Sequence, residues 1–165
     1  MLTYSSLGRQ ELCIWIKQYF MATLERAIEI AREAHAGQVD KAGKDYINHS
    51  LRVMAMGKDE NEKIVGVLHD VVEDSDWTFE MLEAEGFSSE IIEALRCVTK
   101  LSEDEDYDHF LNRIKGNRLV MKVKLCDLVD NLDTSRIENP TDSDLKRSKK
   151  YARAYAFIKK AISKL

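Results

Sequence analysis

Residues 65–76 read Val-Gly-Val-Leu-His-Asp-Val-Val-Glu-Asp-Ser-Asp, and with Ile64 they set Val65, Val67, Leu68, Val71 and Val72 nearly all round one predicted helix. A helix that is apolar on every side is a buried one, covered by other helices. The composition agrees. Seven Gly and one Pro in 165 residues are too few breakers for the frequent turns of a β-sandwich or barrel. Apolar residues at 44% and charged residues at 33% suit a compact helical chain and exclude a disordered one. The length supports one domain whose core needs no disulfide or metal staple. The expected class is all-α, a helical bundle.

Upstream of this stretch, Leu24, Ala27, Ile28, Ile30, Ala31 and Ala34 form a helical face that stops at Gly37, with Thr23 as its N-cap. Residues 37–45, GQVDKAGKD, read as a polar loop, followed by a helix from near Tyr46 to Met56 that Gly57 ends. Downstream, Ser88 or Ser89 caps a helix that buries Ile91, Ile92, Leu95 and Val98. The acidic run Ser102–Asp108 leads into another with Phe110, Leu111 and Ile114. Residues 118–137 carry a stripe at Met121, Leu125, Leu128 and Leu132. Pro140 marks a break before a last amphipathic helix through Tyr151, Tyr155 and Ile158. Residues 1–20 stand apart as an N-terminal extension with a helical pattern (Leu12, Ile14, Trp15, Ile16, Phe20), and the domain proper is expected over residues 21–165.

A net charge of −4 excludes a generally basic surface that coats nucleic acid, while leaving room for a local basic pocket. No apolar run reaches the length of a membrane span, and Arg9, Glu11 and Lys17 interrupt the first twenty residues without a signal-peptide core. Cys13, Cys97 and Cys126 form no CxxC pair, which suits a reducing cytoplasm. The expected partner is therefore a small molecule, not nucleic acid or membrane, and the oligomeric state is not legible.

The chemistry concentrates at His69-Asp70. An unpaired charge inside an apolar helix is expensive, so the two are either a satisfied core pair or ligands. His49 lies beside the polar loop, Asp127 is flanked by Leu125 and Leu128, and Glu73 and Asp74 extend the acidic cluster. Two imidazoles and two carboxylates suit Mn²⁺, Fe²⁺ or Zn²⁺ and leave coordination positions open. Adjacent helical residues project about 100° apart, so sharing one ion requires a helix end, which the polar run Glu73–Asp76 is read to supply. Val120, Val123, Asp127, Asn131 and Thr134 share a face that turns polar halfway, as a pocket-lining helix does. Asp130 and Asp133 read as solvated charges. Lys41, Lys44, Lys100, Lys122 and Lys124 are the cations at hand for an anionic substrate, each otherwise a surface side chain. His35 reads as structural, His109 as surface, Cys126 as core, and Trp77 and Phe79 as packing or a lid.

The order His49, His69-Asp70, Asp127 resembles the H…HD…D signature of HD-domain metal-dependent phosphohydrolases. Together AHAGQVDKAGKDYINH, VLHDVVEDS, VTKL and VKLCDLVDNLDTSRI look like the hydrolase domain of the RelA/SpoT group and its single-domain relatives, the small alarmone hydrolases. The resemblance implies an HD-type helical bundle with a metal site between helices and a Mn²⁺ ion. It also implies hydrolysis of the 3′-pyrophosphate of (p)ppGpp to GDP or GTP plus pyrophosphate. It would make His49, His69, Asp70 and Asp127 the metal ligands and Glu73 and Asp74 the acidic pair that orients or deprotonates the attacking water. Asn131 and Thr134 match positions near ribose and phosphate, Lys41 and Tyr46 match the loop that meets base and ribose, and Lys100 joins them as a substrate-binding cation.

Three positions depart from the pattern: Asp40 stands where a basic residue usually precedes the loop lysine, and Asp45 and Ser50 stand where proline is common. An Arg-Lys pair expected around Tyr107–Arg113 is also not evident. Asp40 would repel phosphate and alter guanine recognition. The competing readings are another HD-type phosphohydrolase, releasing the 2′-phosphate of NADPH or dephosphorylating a nucleoside monophosphate, and a non-catalytic nucleotide-binding sensor.

Overall fold

A computed structural model describes residues 21–100, 102 and 104–164; the N-terminal extension expected over residues 1–20 lies outside the described residues. The described chain is helical apart from an isolated bridge between Val39 and Asp45. Helix α1 (Leu24–Ala34) starts as expected, with Thr23 Oγ1 accepting from the Arg26 N–H, and it ends before Gly37, whose φ of 78° closes the turn. Helix α2 (Ile47–Met56) follows the loop and stops at Gly57. Helix α3 (Glu60–Leu68) is capped by the Asp59 carboxylate and supplies Ile64, Val65, Val67 and Leu68 to the middle of the core.

The expected unbroken helix through Val72 is not formed. Helix α3 stops at Leu68, His69 and Asp70 make a turn, and a short helix α4 (Val71–Asp74) resumes. The reason is local. His69 Nδ1 lies 2.9 Å from the Gly66 oxygen, one of the last-turn carbonyls that a helix end leaves unpartnered. The apolar pattern runs across this break because both segments are buried in the same core. The bend expected at Glu73–Asp76 thus lies at His69-Asp70 itself.

The remaining helices are α5 (Phe79–Ala84), α6 (Ser89–Val98, capped by Ser88), α7 (Tyr107–Ile114, capped by Asp106), α8 (Arg118–Leu132) and α9 (Asp142–Ile162). A 3-10 turn over Thr134–Arg136 separates the last two, so Thr134 does not continue the face of α8. Helix α9 opens with a capping box between Thr141 and Asp144. Helix α3 is wrapped by α1, α2, α6 and α8. At Gly66 the α2 backbone comes so close that an added Cβ would lie 3.3 Å from both Cα and N of Met54. Among the described residues no helix is long and apolar enough to cross a membrane.

Candidate metal centre and cleft

Three separate chain segments deliver the polar core. His49 sits in the first turn of α2, His69 and Asp70 in the break between α3 and α4, and Asp127 midway along α8. Donor atoms of His49, His69 and Asp70 all fall within 4.8 Å of one another. Asp127 Oδ1 is 3.2 Å from His49 Nε2 and 3.7 Å from His69 Nε2, while Asp70 Oδ2 is 3.0 Å from His69 Nε2 and 3.8 Å from His49 Nε2.

The spacings of His49, His69 and Asp70 fit a common ion, and Asp127 lies outside that group of three but beside both imidazoles. Two donors each bonded at about 2.1 Å, at right or tetrahedral angles, lie about 3.0–3.5 Å apart. The buried His69 Nε2 has Asp70 Oδ2 3.0 Å away but makes no well-directed hydrogen bond among the described residues, which leaves its lone pair available to a metal ion. Both Nδ1 atoms are occupied, His69 by the Gly66 carbonyl and His49 by Asp130 Oδ2 at 2.7 Å, which turns both Nε2 atoms inward.

Charge is balanced tightly here. Burial disfavours charge on both imidazoles. The carboxylates of Asp127 and Asp130 nevertheless raise His49, and those of Asp70 and Asp127 push His69 up to about 10. Burial likewise opposes ionised Asp70 and Asp127, yet His69 holds Asp70, and Lys124 with both imidazoles holds Asp127, well below the usual carboxylate range. Asp127 Oδ2 accepts from Lys124 at 2.7 Å, and Asp70 Oδ2 accepts from the Tyr46 hydroxyl at 2.6 Å.

The centre opens into a cleft of about 400 Å³. Glu73, Asp74, Lys41, Tyr46, Lys100 and Asn131 all line it; Thr134 does not. Lys100 Nζ is 2.8 Å from Glu73 Oε1, Lys41 Nζ is 3.2 Å from Asp144 Oδ1, and the Asn131 amide donates to Asp127. Asp74 is pushed up by partial burial and by the charges of Asp70 and Glu73. Asp40 lines the cleft, and its Oδ1 accepts from the backbone N–H groups of Ala42 (2.8 Å) and Lys44 (2.9 Å), which shapes the loop while its negative charge stays on the cleft wall.

Two readings of solvated charges are corrected. Asp130 is 7% exposed and takes His49, Arg52 and Arg136 at once, with Arg52 Nε at 2.6 Å and Arg136 Nη2 at 3.2 Å. Lys124 has a side chain only 14% exposed, committed to Asp127 and lying over the Phe110 ring. Asp133 is exposed as expected, Lys122 pairs with Glu62 away from the cleft, and His35 is buried with its Nδ1 2.8 Å from Gln38 Oε1. Tyr107, Arg136, Arg147, Lys150 and Tyr151 line the cleft unanticipated. Arg147, Lys150 and Tyr151 share one face of α9 by their 3–4 spacing, which was visible in sequence; that this face meets α8 was not.

No family model matches the chain. A guanosine-3′,5′-bis(diphosphate) 3′-pyrophosphohydrolase of Aquifex aeolicus is 31% identical over 122 residues, or 67% of this chain and 17% of that protein. A probable counterpart in Synechocystis is 36% identical over 124 residues, 66% of this chain and 16% of the relative. A probable GTP pyrophosphokinase of Mycobacterium leprae is 30% identical over 132 residues, 73% and 17%. The chain thus spans 16–17% of the length of these relatives. A solved structure described as a metazoan ortholog of SpoT that hydrolyses ppGpp matches with a TM-score of 0.69, at 22% identity, over 86% of this chain and 92% of that one. That likeness is one of fold.

Proposed function

The chain is homologous to the SpoT/RelA (p)ppGpp hydrolase domains, and from that premise we propose that it hydrolyses (p)ppGpp to GDP or GTP and pyrophosphate. The observation that carries the proposal is the buried cluster of His49, His69 and Asp70, with Asp127 beside both imidazoles, at the floor of a cleft lined by acidic and basic side chains alike. These four residues would hold a divalent cation, with Mn²⁺ suited to two nitrogen and two oxygen donors. When bound, that ion supplies Lewis acidity, lowering the pKa of water and neutralising charge on the pyrophosphate.

The chain's own residues do the rest. Asp74, whose carboxyl holds a proton more readily than usual, takes the proton of the attacking water, and Glu73 beside it orients that water. Lys100 divides its charge between Glu73 and the substrate, and Asn131 keeps Asp127 in place while facing the cleft. Lys41 and Tyr46 bring the loop to the nucleoside. The working unit is residues 21–165, and the free thiols of Cys97 and Cys126 suit a reducing cytoplasm.

The test is turnover of (p)ppGpp by metal-stripped protein with and without Mn²⁺, resolving pyrophosphate from orthophosphate. Release of pyrophosphate that depends on Mn²⁺ is expected. Orthophosphate from a different nucleotide, with (p)ppGpp untouched, would replace the substrate assignment. Bound metal with no turnover of any nucleotide would leave a binding module.

A further inference from the structure

The acidic pair Glu73-Asp74 rides on a helix too short to hold itself. Helix α4 is one turn, closed by a bond from the Asp74 N–H to the Asp70 oxygen at 2.9 Å. A single turn is the unfavourable nucleus of a helix without the elongation that stabilises one. Its C-terminal carbonyls therefore need donors from outside. The Ser75 hydroxyl donates to the Val71 oxygen at 2.6 Å, and the Gln38 carboxamide donates from Nε2 to the Asp74 oxygen at 2.7 Å. Gln38 belongs to the turn after α1, 36 residues upstream. Lys100 grips α4 as well, but only through the carboxylate of Glu73, so the backbone that carries Asp74 is left to Gln38.

The carboxamide fits one way round. Its Nε2 faces two backbone oxygens, that of Asp74 and, at 3.4 Å, that of Ala34, and a carbonyl oxygen accepts but never donates. Oε1 is thereby turned to His35 Nδ1 at 2.8 Å, which must carry a proton and donate it. His35 is 1% exposed, and its Nε2 is buried with no hydrogen-bond partner among the described residues. An imidazole with one nitrogen unsatisfied fills a core less well than an apolar ring of similar shape. The His35 ring packs on Tyr46, with centroids 5.0 Å apart, and a phenyl ring could make that contact too. What a phenyl ring lacks is the Nδ1–H that orients Gln38.

We propose that Gln38, oriented by His35, is the positioning residue of the acidic pair: its carboxamide fixes the C-terminal end of α4 and so holds Glu73 and Asp74 at the cleft wall. The part of that pair in moving the proton of a water rests on the proposed hydrolase function; the tether does not.

The experiment compares wild type with Gln38→Leu, Gln38→Glu, His35→Phe and His35→Asn. Gln38→Leu removes every bond of the carboxamide at similar volume, and Gln38→Glu keeps an acceptor for His35 but has no N–H for Asp74. His35→Phe keeps a ring and loses the donor. His35→Asn loses the ring and keeps a donor, because its Nδ2 stands as many bonds from Cα as Nδ1 does. With diamagnetic Zn²⁺ bound, the NMR order parameters of the Glu73 and Asp74 amides should be about 0.85 in wild type and fall toward about 0.6 in Gln38→Leu and His35→Phe. With Mn²⁺, kcat for (p)ppGpp should fall about 10–100-fold in Gln38→Leu, Gln38→Glu and His35→Phe while KM stays within about twofold, the split of a displaced acidic pair and not of a lost substrate contact. His35→Asn should retain more kcat than His35→Phe although it melts at a lower temperature. A His35 that only packs would give the reverse order of kcat and overturn the proposal, as would order parameters unchanged in Gln38→Leu. Turnover is read apart from the tether. A wild type inactive on (p)ppGpp, with α4 loosened in Gln38→Leu, sinks the hydrolase reading alone; an active wild type, with α4 still rigid in Gln38→Leu, sinks the tether alone.

Discussion

Replacing Asp130 by Asn should damage metal binding although Asp130 is not itself one of the four converging donors. The carboxylate accepts from His49 Nδ1 at 2.7 Å and from Arg52 at 2.6 and 3.0 Å, with Arg136 at 3.2 Å. An amide offers one acceptor oxygen. Turned toward His49, it leaves its NH₂ facing the guanidinium groups donor to donor. Turned the other way, it makes His49 Nδ1 accept and moves the ring proton to Nε2, the atom that must be bare to bind a cation. Loss of such an orienting partner costs about 10–100-fold in metal affinity. That corresponds to about 1.4–2.8 kcal/mol. The arginine contacts add less to fold stability than their number suggests, because both guanidinium side chains are about one-third exposed and screened by solvent. Titrating Mn²⁺ into metal-stripped wild type and Asp130→Asn by calorimetry measures the difference, with circular dichroism to show that both are folded. A folded variant that binds Mn²⁺ within twofold of wild type would refute the orienting role.

Three further outcomes are expected. His69→Ala should lose metal binding and activity together, and retained metal at full stoichiometry would remove His69 from the ligand set. Gly66→Ala should destabilise by about 1 kcal/mol, because overpacking against the α2 backbone outweighs the gain in helix propensity; a higher urea midpoint would show that α2 yields. The Asp144 carboxyl is held well below the usual range by hydrogen bonds from Thr141 and then Lys41. Its contribution to stability is therefore full above the unfolded value of about 3.9 and fades as pH falls through the lower folded value. The stability gap between wild type and Asp144→Asn in urea should follow that course, and a gap that widens on acidification would contradict it.

The starts at Thr23 and Ser88 were legible because their chemistry is local, each capping from its own side chain, whereas the capping box at Thr141 was read only as a break at Pro140. The break at His69-Asp70 was not, because burial continues on both sides and an apolar period records burial, not the path of the backbone. That His49, His69 and Asp70 lie together, with Asp127 beside both imidazoles, was legible because buried imidazoles and carboxylates in apolar helices need partners. Asp130 was misread because its partners come from α2 and from the turn after α8, contacts 78 and 6 residues away in sequence. Lys124 was within reach of sequence reasoning: it precedes Asp127 by three residues on a helix, the spacing of an ion pair. Lys150 and Tyr107 needed the docking of α9, which no short-range pattern encodes.

The bridge from Lys41 to Asp144 joins residues 103 positions apart, and the same carboxylate closes the first turn of α9 through Thr141. The expected consequence of this bridge is that the loop over residues 37–45 and the start of the last helix open together. In hydrogen exchange, amide protons that close the loop, such as those of Asp40 and Tyr46, should share an opening free energy with those of the first turn of α9, and Lys41→Met should lower both together. On that outcome, a loop on one wall of the cleft would be timed by the fraying of a helix that begins about a hundred residues later in the chain.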